Sequence, residues 1–239
     1  MLPRSTVVAG RRVTAVVLTL TTTLLAVLVG QPASAIIDGT TSGNLTGQVN
    51  IWINNGASFQ CTGSLIGERY VLTAEHCLVN PITSMRIWTG NRAPKQGQQI
   101  AVDGYAAAEK GYDIAILHLA GPVKQTQNIV KYSAGPGIIK AGVNVAVRGW
   151  GRESRTGTGP SPSLKVCSMK VESSVADVFQ IKRINGVTAK GDSGAGVWDG
   201  SLIRGVVSTG DEQAYTNAVP TALVADWIYA KTNVRGVTS

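Results

Sequence analysis

Residues 190–198, KGDSGAGVW, set three glycines around Ser193. Strand propensity does not explain them, because glycine is depleted in strands. Glycine instead lets the backbone turn sharply and present N–H groups inward. A serine hydroxyl in such a turn is placed to attack a carbonyl, with the N–H groups of Gly191 and Ser193 holding the oxyanion that forms. A hydroxyl is a weak nucleophile at neutral pH, so it needs a base, and the base needs an orienting acid. The chain has two histidines. His118 lies in DIAILHL (113–119) as one strand residue among apolar neighbours and is read as a bystander. His76 ends the β-rich run VLTAEHC (71–77) and is the base available. Asp113 opens DIAIL, which suits a carboxylate at the edge of a buried strand. An unpaired buried carboxylate is costly, so it needs a partner, and a histidine N–H would serve.

The 239-residue chain begins with Arg4, Arg11 and Arg12 and no acid, then an apolar, Thr-rich run from Val13 to Val29, then Ala33-Ser34-Ala35. This is the layout of a secretory leader over residues 1–35, cleaved after Ala35. A membrane anchor fits less well, because no cationic stop-transfer flank follows the run. Arg11-Arg12 leaves general secretion and twin-arginine export both open. The leader's three arginines account for part of the formal net charge of +8. The rest is spread without basic runs, so it speaks for solubility, and no nucleic-acid partner is expected. Three cysteines in an oxidising compartment predict one pair and one leftover. Short β-rich runs at Val49–Ile53, Ser64–Leu72, Ile114–Leu119, Val143–Val147, Leu164–Val171 and Leu202–Ser208 alternate with turn residues, as in sandwiches and barrels. One helix is predicted at the end, opened by Pro220 and carrying Leu223, Val224, Trp227 and Ile228.

In chain order, CTGSLIGERYVLTAEHC (61–77), DIAIL (113–117), RGWG (148–151) and GDSGAG (191–196) resemble the trypsin/chymotrypsin family of serine endopeptidases. IIDG (36–39) resembles the start of the mature enzymes. The resemblance covers essentially all of residues 36–239, in the chymotrypsin order His, Asp, Ser. It implies an all-β fold of two six-stranded antiparallel barrels with a C-terminal helix. The first barrel would span about 36–121 and the second, with the helix, about 122–239, crossing near Gly121 to Ser133. It further implies Ser193 as nucleophile, His76 as general acid/base and Asp113 as orienting carboxylate. Gly191 and Ser193 would form the oxyanion hole, Cys61 and Cys77 a disulfide, and Asp192 would pair with the amine of Ile36. With no pro-segment between Ala35 and Ile36, leader removal and activation would be one event.

The substrate pocket departs from trypsins. By position Val187, six residues before the serine, replaces the aspartate that binds Lys and Arg side chains. Thr188, Lys190, Ser208, Thr209 and Gly210 would complete the walls, with Thr209 where an aromatic residue is common. Asp211 and Glu212 either reach the pocket from its other wall or form a solvated turn, the latter being preferred. Glu75 is read as pointing to solvent. Cys167 is either a buried small hydrophobe or a thiol free to dimerise, and Ala189 stands where a family cysteine is expected. No metal and no cofactor is expected; Glu75 to Asp103 encloses no carboxylate for calcium. The implied activity is a secreted, monomeric endopeptidase cutting after uncharged small or medium apolar residues. Its partners would be protein or peptide substrates and protein protease inhibitors, with no membrane partner after leader cleavage. An inactive binding module and an esterase on the same triad are the alternatives.

Overall fold

The computed structural model describes residues 36–135, 139–175 and 177–238. The leader read over residues 1–35 lies outside the described residues. Fourteen strands and one helix are present among them. Strand β1 (Thr40–Thr41) precedes β2 (Gln48–Asn54), β3 (Ser58–Gly67), β4 (Tyr70–Thr73), β5 (Ser84–Thr89), β6 (Gln98–Ala107) and β7 (Ala115–Leu119). Strands β2-β3-β4-β7-β6-β5 close into an antiparallel barrel. After β8 (Lys131–Tyr132) come β9 (Asn144–Gly149), β10 (Lys165–Val175), β11 (Val178–Arg183), β12 (Gly196–Asp199), β13 (Leu202–Gly210) and β14 (Tyr215–Pro220). The order β10-β11-β14-β13-β12-β9 closes the second barrel through β9–β10 pairing, while β1 adds to β10 and β8 runs parallel to β13.

The first barrel forms because alternate residues of its strands are apolar and share its interior. Ile51 pairs with Cys61 on one side and Ile87 on the other, and Val49, Ile51, Ile53 and Ile87 are all 0–1 % exposed. Burying each such side chain stabilises the fold by roughly 1.5–3 kcal/mol. The same apolar cluster continues through Trp198, Ile203 and Val206 of the second barrel to Ile228 of the C-terminal helix α1 (Ala225–Thr232).

Three sequence expectations change here. Ser64–Leu72 is not one strand: Glu68 and Arg69 turn the chain between β3 and β4. Their backbone carbonyls accept the N–H groups of Val123 and Leu119, each at 2.9 Å. Pro220 ends β14 instead of opening the helix; a 3-10 turn (Thr221–Val224) intervenes, tied down by the Thr221 hydroxyl donating to the Ser133 carbonyl at 2.8 Å. Residues 36–41 pack on the second barrel, not the first, because Ile36 and Ile37 join the apolar cluster of Val145, Val147 and Cys167, and β1 pairs with β10.

A disulfide joins Cys61 on β3 to Cys77, 16 residues on. Closing a loop of that length is worth roughly 3 kcal/mol in the chain-entropy model. Replacing both cysteines by alanine is expected to lower the unfolding free energy by about that amount, as read by urea denaturation under non-reducing conditions.

Candidate active site

His76 lies in a 3-10 turn (Glu75–Cys77) that follows β4 directly, and the Cys61–Cys77 bridge pins that turn to β3. Asp113 lies two residues before β7. The two meet through two hydrogen bonds: the His76 backbone N–H donates to Asp113 Oδ1 at 2.9 Å, and ring Nδ1 lies 2.8 Å from Oδ2. The Ser208 hydroxyl also donates to Oδ2, at 2.5 Å. Burial pushes the Asp113 carboxyl up, but the bonds from His76 and Ser208 outweigh it and hold the group below its ordinary value. An ionised carboxylate only accepts, so Nδ1 carries the hydrogen and the lone pair sits on Nε2. The bond to Asp113 raises the His76 pKa above 6.5, against partial burial, with the Asp113 and Glu75 charges adding to it. The stability this pairing contributes is complete below pH 6.5 and is lost as pH rises through the folded value.

Ser193 lies on the loop between β11 and β12, and first-barrel atoms hold that loop. Thr62 on β3 donates its N–H to the Ser193 carbonyl at 2.9 Å and its hydroxyl to the Gly191 carbonyl at 2.8 Å. The sulfur of Cys77, next to His76, lies 4.0 Å from the same Ser193 carbonyl. At Gly194 (φ +85°) an added Cβ would sit 2.1 Å from Thr73 Oγ1 and 2.3 Å from the Thr62 carbonyl, so only glycine lets the loop come this close. Among the described residues the N–H groups of Gly191 and Ser193 have no hydrogen-bond partner, and neither has the Ser193 hydroxyl.

Asp192 points the other way and is 0 % exposed. Its two oxygens accept the N–H groups of Gly151 at 2.8 Å and Ala189 at 2.9 Å. The glycines of RGWG make room for it, since a Cβ on Gly151 would fall 2.4 Å from a carboxylate oxygen. Burial drives its pKa up to about 7, the two N–H bonds oppose this, and the charge of Glu212 adds to it. Ile36 is also 0 % exposed, and the Ile37 carbonyl accepts the Val187 N–H at 3.0 Å, two residues before Ala189.

Beside Ser193 opens a recess of about 220 Å³, walled by residues 188–190 and 207–210 and by Glu212. Thr188, Lys190, Ser208, Thr209 and Gly210 are all on it. Val187 is not: its side chain is 0 % exposed in the second-barrel core, because its strand-like bridge to Ile37 turns it inward. Thr188 faces the recess in its place, its hydroxyl 2.6 Å from that of Thr216. The solvated-turn reading suits Asp211, whose carboxylate accepts the N–H groups of Gln213, Ala214 and Tyr215 at 2.8–2.9 Å. It does not suit Glu212, which lines the recess and is paired with Arg152. A second recess, of about 380 Å³, lies on the far side of Gly191 between Phe59, Gln60, Arg152 and residues 157–160. Glu75 is exposed. His118 pairs with Asp103 at 2.5 Å on the outside of the first barrel and has no part in the site. Cys167 is buried and unpaired, with burial pushing its thiol up into the unreactive range.

The chain is similar to known proteins in sequence and in fold. A model of the Trypsin family matches residues 36–228. Trypsin delta of Drosophila erecta is 27 % identical over 80 % of this chain and 84 % of its own. Human kallikrein-12 is 26 % identical over 73 % and 79 %, and the thrombin-like enzyme AhV_TL-I of Gloydius halys is 26 % identical over 75 % and 88 %. In fold, the chain is similar to HL collagenase (TM-score 0.72, 22 % identity, covering 84 % of this chain and 100 % of that one). It is likewise similar to human heparin binding protein (TM-score 0.73, 23 % identity, 84 % and 98 %). The chain therefore belongs to the trypsin family, the trypsin/chymotrypsin-like serine proteases.

Proposed function

We propose that the chain is a secreted serine endopeptidase that works through an acyl-enzyme on Ser193. The observation that carries this reading is the double grip of Asp113 on His76, within a site whose serine loop is bonded to the same barrel. His76 Nε2 takes the Ser193 proton as the hydroxyl attacks the scissile carbonyl, then returns it to the leaving amine. The free N–H groups of Gly191 and Ser193 receive the oxyanion. Water then attacks the acyl-enzyme by the same proton route. Asp113 and Ser208 keep the ring oriented and its Nδ1–H occupied. The recess beside Ser193 is small and contains no unpaired carboxylate, which favours uncharged small or medium apolar side chains before the cut. Protein and peptide chains are the substrates, protein protease inhibitors fit the same cleft, and the enzyme acts as a monomer after its leader is removed.

His76→Ala and Ser193→Ala are each expected to lower kcat/KM on peptide-library substrates by at least about 10²–10⁴-fold, with Ser193→Ala leaving the melting temperature unchanged. His118→Ala is expected to leave kcat/KM near the starting value. An inactive His118 variant beside an active His76 variant would reverse the assignment of the base.

Because Asp113 raises the His76 pKa, activity should rise with pH along a limb centred above 6.5. Asp113→Asn removes the cause and should move that limb to lower pH, as read from kcat/KM across pH 5–9.

The reading extends to activation. In the full chain the Ile36 nitrogen is a peptide nitrogen joined to Ala35, and among the described residues Asp192 has hydrogen bonds but no counter-ion. Its folded pKa of about 7 exceeds 3.8, so the native state holds its proton longer than the unfolded one. Stability then falls as pH rises between those values. On this reading cleavage after Ala35 frees an amine that pairs with the buried carboxylate and supplies the missing charge. A mature chain starting at Ile36 should therefore keep its stability from pH 4 to 7. A chain with one extra residue before Ile36 should lose stability over that range and show at least about tenfold lower activity at neutral pH. Equal activity of the two, with both N-termini verified by mass spectrometry, would contradict the pairing. With the pair formed, its stabilisation is complete below the ordinary α-amino pKa of about 8 and fades as pH rises through the folded value.

A further inference from the structure

Glu212 is the one acidic residue on the recess beside Ser193, and three contacts fix it there. One carboxylate oxygen accepts the Lys190 N–H at 3.0 Å, the other is paired with Arg152 Nη2, and its carbonyl accepts Arg155 Nε at 2.8 Å. The Glu212 and Arg152 side chains are 18 % and 20 % exposed, so solvent screens the pair only in part. Arg152 does not line this recess. It reaches Glu212 from the second recess, beyond Gly191, and its own backbone N–H is held by the Lys190 carbonyl at 2.8 Å. The carboxylate therefore belongs to the substrate recess, while the cation that neutralises it arrives from behind the wall.

A lone carboxylate in a recess of this size would attract an ammonium or guanidinium strongly, because charge interactions grow as water is excluded. With Arg152 in contact, an incoming cation meets a neutral pair and loses its hydration without compensation. Building on the peptidase reading, we propose that Arg152 is a specificity-determining residue: by latching Glu212 it suppresses an acceptance of Lys and Arg side chains that the recess otherwise carries. Asp211, next to Glu212, cannot substitute, since its carboxylate is taken up by three backbone N–H groups.

The test uses the mature chain and n-butylguanidinium, the functional end of an arginine side chain, with binding measured by calorimetry. Arg152→Gln should tighten that binding by about tenfold and raise kcat/KM for lysine over alanine before the cut by a similar factor. The double variant Arg152→Gln/Glu212→Gln should return both to the starting values. Arg152→Met, of similar length, carries the same expectation should the glutamine variant not fold. Unchanged butylguanidinium binding in a folded Arg152 variant, or a gain that survives in the double variant, would overturn the latch. Calorimetry needs no turnover. A chain that cleaves no peptide thus counts against the peptidase reading alone, and butylguanidinium binding still decides the latch.

Discussion

Thr62 makes two hydrogen bonds that cross from one barrel to the other, from its N–H to the Ser193 carbonyl and from its hydroxyl to the Gly191 carbonyl. These bonds fix the loop against β3, and among the described residues the N–H groups of Gly191 and Ser193 stay unpaired. Free donors stabilise a developing charge only when a rigid backing keeps them in place. Their close approach to β3 and β4 depends on Gly194. On the other side of the same strand, the bridge from Cys61 to Cys77 holds the turn that carries His76. One strand of the first barrel thus positions both the serine loop and the histidine turn, across a 129-residue separation in one case and 16 in the other.

The three carboxylates of the site show how environment divides one chemical group among three tasks. Asp113 is half-buried and accepts from two His76 donors and Ser208, so it stays ionised and orients the ring. Asp192 is wholly buried with two backbone donors and, among the described residues, no paired cation, so it holds its proton up to about pH 7. Glu212 is partly exposed and closed by Arg152. An acid needs a counter-charge in proportion to its burial. Of the three, only Asp192 is without the partner its burial calls for while Ile36 is still joined to Ala35.

Much of this was legible in the chain. The glycines around Ser193 have no purpose in a strand, and a base and an acid can be sought in a chain with two histidines. What the pattern could not carry was side-chain direction. Val187 holds the right position by count, yet a bridge to Ile37 turns it into the core and leaves Thr188 on the recess. Glu212 sits in a polar stretch that reads as a turn, and its Arg152 partner lies 60 residues away. Strands β5 and β6 do not stand out as apolar runs because Arg86, Gln99 and Asp103 lie on their outer faces. In β5 the inward residues Met85, Ile87 and Thr89 do alternate, but the strand is six residues long and Thr89 is polar, while β6 turns only Ile100 fully inward. The hairpin at Glu68-Arg69 was hidden by the opposite fault, apolar runs on both sides of a two-residue turn.

The account stands on Ser193 being activated by His76 in an assembled site. The most direct measurement treats the mature chain with a phosphonyl fluoride and locates the adduct by peptide mass spectrometry. Stoichiometric labelling of Ser193 that His76→Ala abolishes is the expected result. No adduct on a folded mature chain, or labelling of Ser193 that persists without His76, would contradict it.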